Sequence, residues 1–195
     1  IAAWQDRSAG SYLKINYQEP DISLQARFDL QPTIKFRTGR WCRPGDCAGD
    51  QETCHDPAAA GITTVFYVNK PDDKSQDGKI LDADIELNAV NNRFYDADKA
   101  PTSTPDGRSL VDLQNTLVHE LGHLQGLDHT CRDGATRACI VDNNGKQPPL
   151  CSTVIAMSAT DPAAKQITET TMFASASPRE TVKRTPKTDD LAAIS

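Results

Sequence analysis

The residues best suited to chemistry in this 195-residue chain form one short histidine-bearing segment. His119, Glu120 and His123 make a His-Glu-x-x-His pattern, and Gly126 and His129 follow at fixed spacing. Residues four apart share a helix face, so His119 and His123 can direct their imidazoles at one cation. Gly126 permits a sharp turn that can return His129 as a third ligand. Three imidazoles with a fourth position open to water are typical of one catalytic zinc ion.

Glu120 is expected to differ in role from the histidines beside it, because it projects to one side of their helix face. A carboxylate at that position suits a general base acting on water at the metal. The implied reaction is hydrolysis of a peptide bond through a tetrahedral intermediate. The competing interpretation is that the histidines are ordinary helix-surface residues and Glu120 is a solvated charge.

A leucine stripe predicts the helix that must carry these residues. Leucines recur in steps of three and four from Leu110 to Leu124, which is the pattern of an amphipathic helix. Ser109 with Asp112 predicts a capped start, and Gly126 predicts the end.

Strand patterns lie ahead of this helix. Alternating or β-branched residues predict strands over 12–17, 33–37, 62–68 and 80–90. In the last of these, apolar residues from Ala83 to Ala89 alternate with Asp82, Asp84, Glu86 and Asn88. Segment 130–169 shows little regular pattern, and Thr188 to Leu191 predicts the start of a final helix.

Six cysteines form two groups of three: Cys42, Cys47 and Cys54, then Cys131, Cys139 and Cys151. An even count in polar, turn-rich loops predicts disulfides formed in an oxidising compartment, and therefore a secreted protein. Complete pairing needs at least one bridge between the groups, and the connectivity stays open. Free or zinc-bound thiols in a cytosolic protein are the alternative.

Composition narrows the classes of partner. The chain has 21 basic and 27 acidic residues and a net charge of −6 at pH 7, so nucleic acid and anionic lipid surfaces are poor partners. No apolar stretch approaches the ~18 residues that a membrane span requires. A length of 195 residues predicts a single domain.

The chain resembles the metzincin clan of zinc endopeptidases, matching its His-Glu-x-x-His-x-x-Gly-x-x-His signature at every fixed position, and is most similar to the matrixins. The resemblance implies an α+β domain over 1–195 with an α/β-like, twisted, mostly parallel sheet, an antiparallel edge strand, an active-site helix and a C-terminal helix. Sheet and active-site helix would occupy 1–129, and a lower part with a methionine turn would occupy 130–195. The family's first strand is not recognisable, so we expect a chain truncated at its start and slightly at its end.

The resemblance also implies roles around the zinc. Met172 is expected to form the methionine turn, with Met157 as the alternative, and Ala174 stands where some clan members have a tyrosine. Strand 62–68 would pair with an extended polypeptide substrate, and segment 172–185 would border the pocket after the scissile bond. A propeptide or protein inhibitor is a further expected partner of a monomeric enzyme. A catalytically impaired, zinc-bearing peptide-binding module and a metal hydrolase of non-peptide substrates are the competing functions.

A second candidate metal site is acidic. Carboxylate oxygens are calcium ligands, and matrixin-like domains often bind calcium in this region, while a solvated acidic turn is the alternative. His55 is the one histidine outside the zinc motif, and we expect it to be an exposed loop residue without a structural zinc. The candidate calcium ligands are Asp72, Asp73, Asp77, Asp82, Asp84 and Glu86.

Overall fold

The computed structural model describes residues 2–5, 16, 18–43, 51–99, 106–134, 141 and 145–194. These residues form a mixed α+β structure with small sheets that include parallel strand pairs, which confirms the predicted class. The strands are β1 (Ile34–Arg37), β2 (Cys42–Arg43), β3 (Thr53–Cys54), β4 (Gly61–Tyr67), β5 (Ile80–Asn88), β6 (Asn92–Tyr95) and β7 (Ser109–Asp112). The α-helices are α1 (Ala2–Gln5), α2 (Leu113–Leu124), α3 (Cys151–Met157), α4 (Pro162–Thr168) and α5 (Thr188–Ala193).

The sheet that positions the histidine helix has the strand order β1-β5-β4. Strand β1 runs parallel to β5, with Ile34 opposite Ile85, and β4 runs antiparallel to β5. The predictions for 33–37, 62–68 and 80–90 are therefore confirmed within a few residues at each end. The predicted strand 12–17 lies outside the described residues except for Asn16.

From Asp82 to Asn88, strand β5 is buried on both faces. Its apolar face packs against α2 and Trp4, whose indole nitrogen donates to the carbonyl of Val118 at 2.9 Å. Its polar face is equally buried, under the chain segments around 27–33, 41–43 and 51–59. The core cluster on the apolar side consists of Trp4, Ile85, Leu87, Val118 and Leu121.

Helix α2 begins at Leu113, so the predicted start at Ser109 is wrong. Asp112 is the N-cap, and its carboxylate accepts from the backbone N of Asn115 at 2.7 Å. Ser109 and Leu110 belong instead to β7, which pairs in parallel with β6. The leucine spacing continues across this boundary because Leu110, although it belongs to β7, is buried like the leucines of the helix face.

Two short helices, α3 and α4, occupy the segment that we predict to be irregular. Asp161 caps α4 by accepting from the backbone N of Ala163 at 2.9 Å, and Pro162 occupies the first turn. This Asp-Pro start is a recognisable helix signal. Seven residues are too few for a clear hydrophobic period, which explains the missed helix. The predicted helix start at Thr188 is confirmed by α5.

The prediction of disulfides is confirmed by two bridges, each within one of the two cysteine groups. Cys42 and Cys54 join β2 to β3, and Cys131 and Cys151 join the loop after α2 to α3. Cys47 and Cys139 lie outside the described residues. Within the ranges that the structure describes, no helix combines the length and the apolar character needed to cross a membrane.

Candidate metal centre

Three imidazoles converge at the C-terminal half of α2. Consecutive turns of α2 carry His119 and His123, and the chain reverses at Gly126, where φ is +90°. This turn brings the Nε2 atom of His129 to 3.3 Å from Nε2 of His119 and 3.1 Å from Nε2 of His123. The predicted histidines therefore form a cluster that could hold a metal ion.

The outer nitrogens of two of these rings are held by backbone carbonyls. Nδ1 of His119 lies 2.7 Å from the carbonyl oxygen of Thr171, and Nδ1 of His123 lies 2.7 Å from that of Leu127. A carbonyl can only accept, so each Nδ1 carries the ring proton and each Nε2 presents a lone pair. This arrangement is the usual outer-shell support of histidine metal ligands.

The ligand geometry fits a tetrahedral divalent cation. Zinc–nitrogen bonds of about 2.0–2.1 Å at tetrahedral angles place neighbouring nitrogens about 3.3 Å apart. The two measured Nε2 separations, 3.3 and 3.1 Å, agree with that spacing. Burial, reinforced by the neighbouring His123, holds the pKa of His119 well below its ordinary value, so this ligand is neutral as metal binding requires.

Glu120 lies on a different side of α2 from the imidazoles and packs against strand β4. The hydroxyl of Thr63 donates to Oε2 of Glu120 at 2.6 Å. Gly61 provides the space, because a Cβ atom there would lie 2.6 Å from Oε1. Burial raises the pKa of Glu120 to about 7, while the Thr63 hydrogen bond opposes that shift.

Met172 lies beneath the histidine helix and is 2 % exposed. A Cβ atom at Gly122 would overlap its Sδ atom, so the glycine within the histidine motif allows this close approach. The backbone N of Thr130 donates to the carbonyl of Met172 at 3.1 Å. Met157, the alternative, lies at the end of α3 and is 45 % exposed.

Hydrogen bonds connect the segment that follows Thr171 and Met172 to the start of α2. Arg184 donates to the Asp112 carboxylate, with Nε 2.9 Å from Oδ1 and Nη2 2.6 Å from Oδ2. The backbone N of Lys183 donates to the Asn115 side-chain oxygen at 2.7 Å. Asp112 therefore both caps α2 and anchors the segment after Met172. This contact connects the helix that carries His119 and His123 to the segment that supplies Thr171 and Met172.

The acidic candidates on β5 are held by protein donors. Asp82 Oδ2 accepts from the backbone N of Asp29 at 2.9 Å and of Leu30 at 2.8 Å. Asp84 Oδ1 accepts from the backbone N of Thr33 at 3.0 Å.

Glu86 lies between two arginines. Arg37 pairs with its Oε1, and Arg43 pairs with its Oε2, with Nε at 2.9 Å. The three acids of β5 therefore connect the covering segments to the sheet.

The remaining acidic candidates lie in the turn that connects β4 to β5. Asp73 accepts from the hydroxyl of Ser75 at 2.6 Å, and Asp77 accepts from the backbone N of Lys70 at 2.8 Å. Asp72 is exposed in the same turn. No three of the six candidate carboxylates form a ligand cluster within the described residues, and the calcium site stays a prediction.

His55 is not the exposed loop residue that we predict. Its side chain is 13 % exposed, its ring centroid lies 4.9 Å from that of Trp41, and Nε2 lies 4.0 Å from Glu86. Burial lowers its pKa. The neighbouring group Cys42, Glu52 and Cys54 is also close enough for ligation, but the two thiols form a disulfide and are unavailable.

No protein-family model, curated protein or solved structure matches this chain. The similarity to metzincins therefore stays an inference from the motif residues. Four residues of the site were not found from the sequence: Gly61, Thr63, Gly122 and Thr171. Gly122 and Thr171 carry a local signal, because Gly122 lies inside the histidine motif and Thr171 directly precedes Met172.

Proposed function

We propose that this chain is a zinc-dependent endopeptidase of the matrixin-like metzincin type. The observation that carries the proposal is the convergence of three Nε2 atoms, two of them 3.1 and 3.3 Å from the third. Two of the rings are fixed from behind by carbonyl acceptors, so their lone pairs are directed at a common point. Such a set holds one zinc ion and leaves a coordination position for solvent or substrate.

A zinc ion held by His119, His123 and His129 would polarise the substrate carbonyl and make water a better nucleophile. Glu120 then accepts a proton from the attacking water and returns it to the nitrogen of the leaving amine. Met172 packs beneath the helix and keeps the histidine face in position.

Strand β4 is the proposed docking edge for the substrate. It lies at one end of the sheet order, and its outer side has no strand partner in the part of the chain that the structure describes. An extended polypeptide can add to such an edge through main-chain hydrogen bonds. Segment 172–185 would then border the side chain that follows the scissile bond.

The two disulfides and the absence of a membrane-crossing helix in the described ranges are compatible with an extracellular protein. We therefore propose secretion, where a propeptide or protein inhibitor would control the open metal position. Disulfides persist in oxidising compartments, which supports this placement.

One observation favours a second function, a zinc-bearing module that binds peptides without cutting them. Glu120 is only 4 % exposed and is bonded to Thr63, so its carboxylate is less accessible than a base open to solvent. This module would share the zinc and the peptide edge with the protease but would lack turnover.

Replacing Glu120 tests the protease directly. We expect Glu120→Ala to retain one zinc per chain and to lose at least about 100-fold in cleavage of an unfolded protein, as removal of a general base does. Glu52→Ala, at an exposed acid paired with Arg40, is the matched control and should cleave normally. Unchanged turnover in Glu120→Ala would remove the base assignment. Zinc-loaded wild type that binds peptides but never cuts them would favour the binding module.

A further inference from the structure

The carboxylate of Glu120 occupies a slot in strand β4 that is formed by the absence of a side chain. A Cβ atom at Gly61 would lie 2.6 Å from Oε1, 2.9 Å from Cδ and 3.0 Å from Cγ of Glu120. A Cβ atom essentially never lies this close to another heavy atom, so the Glu120 carboxylate could not keep this position beside a residue larger than glycine. The conformation of the β4 backbone sets the far wall of this slot.

Thr63 closes the same slot two residues along the strand. Its Oγ1 lies 2.6 Å from Oε2 of Glu120 and 3.1 Å from the Glu120 carbonyl oxygen. The hydroxyl has a single hydrogen, and the shorter contact to the carboxylate is the stronger hydrogen bond. Within the described residues, Thr63 is the one donor to this buried carboxylate.

The two residues share a face because of the strand period. Gly61 and Thr63 are separated by two positions, and they lie opposite Leu87 and Ile85 in the β4–β5 register. Ile85 and Leu87 are on the apolar face of β5 that packs against α2. Sheet pairing therefore fixes both residues relative to the helix that carries Glu120.

We propose that Thr63 is a positioning residue for Glu120 and that Gly61, which has no side chain, leaves the space that the carboxylate occupies. The proposal rests on the proposed function, because it assigns a purpose to the orientation of the base. Thr63 engages Oε2, and Oε1, which lies against Gly61, would be the oxygen that accepts a proton from water. Without the hydroxyl, the carboxylate can rotate away from the productive orientation while the zinc ligands stay in place.

Kinetics of four variants test this role. We expect Thr63→Val to lower kcat by at least about tenfold with KM nearly unchanged, the size associated with losing a hydrogen bond to a charged group. Thr63→Ser keeps the hydroxyl and should restore kcat. Gly61→Ala should lower kcat as Thr63→Val does. Thr33→Val removes another buried hydroxyl, which donates to Gln31 at 2.8 Å on the far side of the sheet, and should leave kcat unchanged.

A rise in KM alone, a normal kcat in Thr63→Val, or a Thr63→Ser variant as slow as Thr63→Val would overturn the positioning role. Thr63→Ala also lacks the hydroxyl and repeats the test if the valine variant does not fold. Zinc content should stay at one per chain in each variant, since no ligand is altered.

A spectroscopic measurement separates this inference from the proposed function. The carboxyl ¹³C resonance of Glu120, identified by its loss in Glu120→Gln, is recorded in metal-free protein. We expect Thr63→Val to shift it and Thr63→Ser to leave it near the wild-type position. An unshifted resonance in Thr63→Val would overturn the inference. Absence of cleavage in zinc-loaded wild type, with the resonance shifting as expected, would count against the protease alone.

Discussion

The histidine cluster and the acidic stripe on β5 are both sets of candidate metal ligands, but the surrounding protein contacts them differently. The acidic stripe consists of Asp82, Asp84 and Glu86. In the cluster, carbonyls hold the Nδ1 atoms of two rings, and the three Nε2 atoms face one another at 3.1 and 3.3 Å. In the stripe, backbone amides or arginines bond every acid. The candidate metal site is therefore marked by ligand atoms that converge on one point, rather than by the number of ligand residues.

The difference follows from what each set has to stabilise. A buried carboxylate without donors is costly, so the stripe is stable only because the covering segments supply donors. Neutral imidazoles carry no such charge, and each ring can satisfy one nitrogen with the backbone and leave the other for a cation. The stripe stabilises the fold, and the cluster is available for chemistry.

The largest effect is expected from removing one imidazole. His123→Ala should weaken zinc binding by more than about 100-fold, beyond the loss typical of outer-shell changes, because one of three ligands is gone. Asp82→Asn, in the stripe, should bind zinc like the wild type. Competition with a chromogenic chelator measures both affinities. Equal losses in the two variants would break the distinction between the two regions.

Glu86→Ala should destabilise the fold without touching the metal. It leaves Arg37 and Arg43 buried without their carboxylate, and breaking such a pair costs about 3–5 kcal/mol. Glu52→Ala breaks the exposed pair with Arg40 and should cost no more than about 1 kcal/mol. Urea unfolding of the metal-free proteins measures both. A loss of zinc in folded Glu86→Ala would show that the stripe does contribute to the metal site.

Asp84 gives the smallest effect, a change in the pH dependence of stability. Burial raises its pKa from 3.8 to about 6, against the opposing Thr33 hydrogen bond. The native state then binds this proton more tightly than the unfolded chain, so the contribution of Asp84 to stability falls as pH rises from about 4 to about 6 and is level above that. Asp84→Asn should flatten this part of the curve for unfolding of the metal-free protein. An unaltered slope would contradict the assignment.

Much of the fold could be predicted from local patterns. The alternation in 80–90 located β5, and its residue types identified both faces correctly. Burial of the polar face could not be predicted, because it depends on segments that pair with it from far along the chain, such as Leu30 with Asp82. The start of α2 was misplaced because Ser109 and Asp112 are both acceptable caps, and only the pairing of β6 with β7 chooses between them.

In the candidate site too, local patterns predict some features, and others depend on distant parts of the chain. Helix spacing for His119 and His123, together with the turn at Gly126 that returns His129, was enough to predict that the three imidazoles converge. Their supports are remote: Thr171 lies 52 positions from His119, and Thr63 lies 57 positions from Glu120. No periodicity links residues so far apart, so these contacts emerge only when the sheet and the segment after α4 are assembled against α2.

Anomalous X-ray scattering at the zinc edge, from crystals soaked in zinc, tests the central claim most directly. We expect one strong peak within about 2.0–2.1 Å of the Nε2 atoms of His119, His123 and His129, and none along Asp82, Asp84 and Glu86. An empty histidine cluster in zinc-soaked crystals, or a peak bound by the acids of β5 instead, would contradict the account.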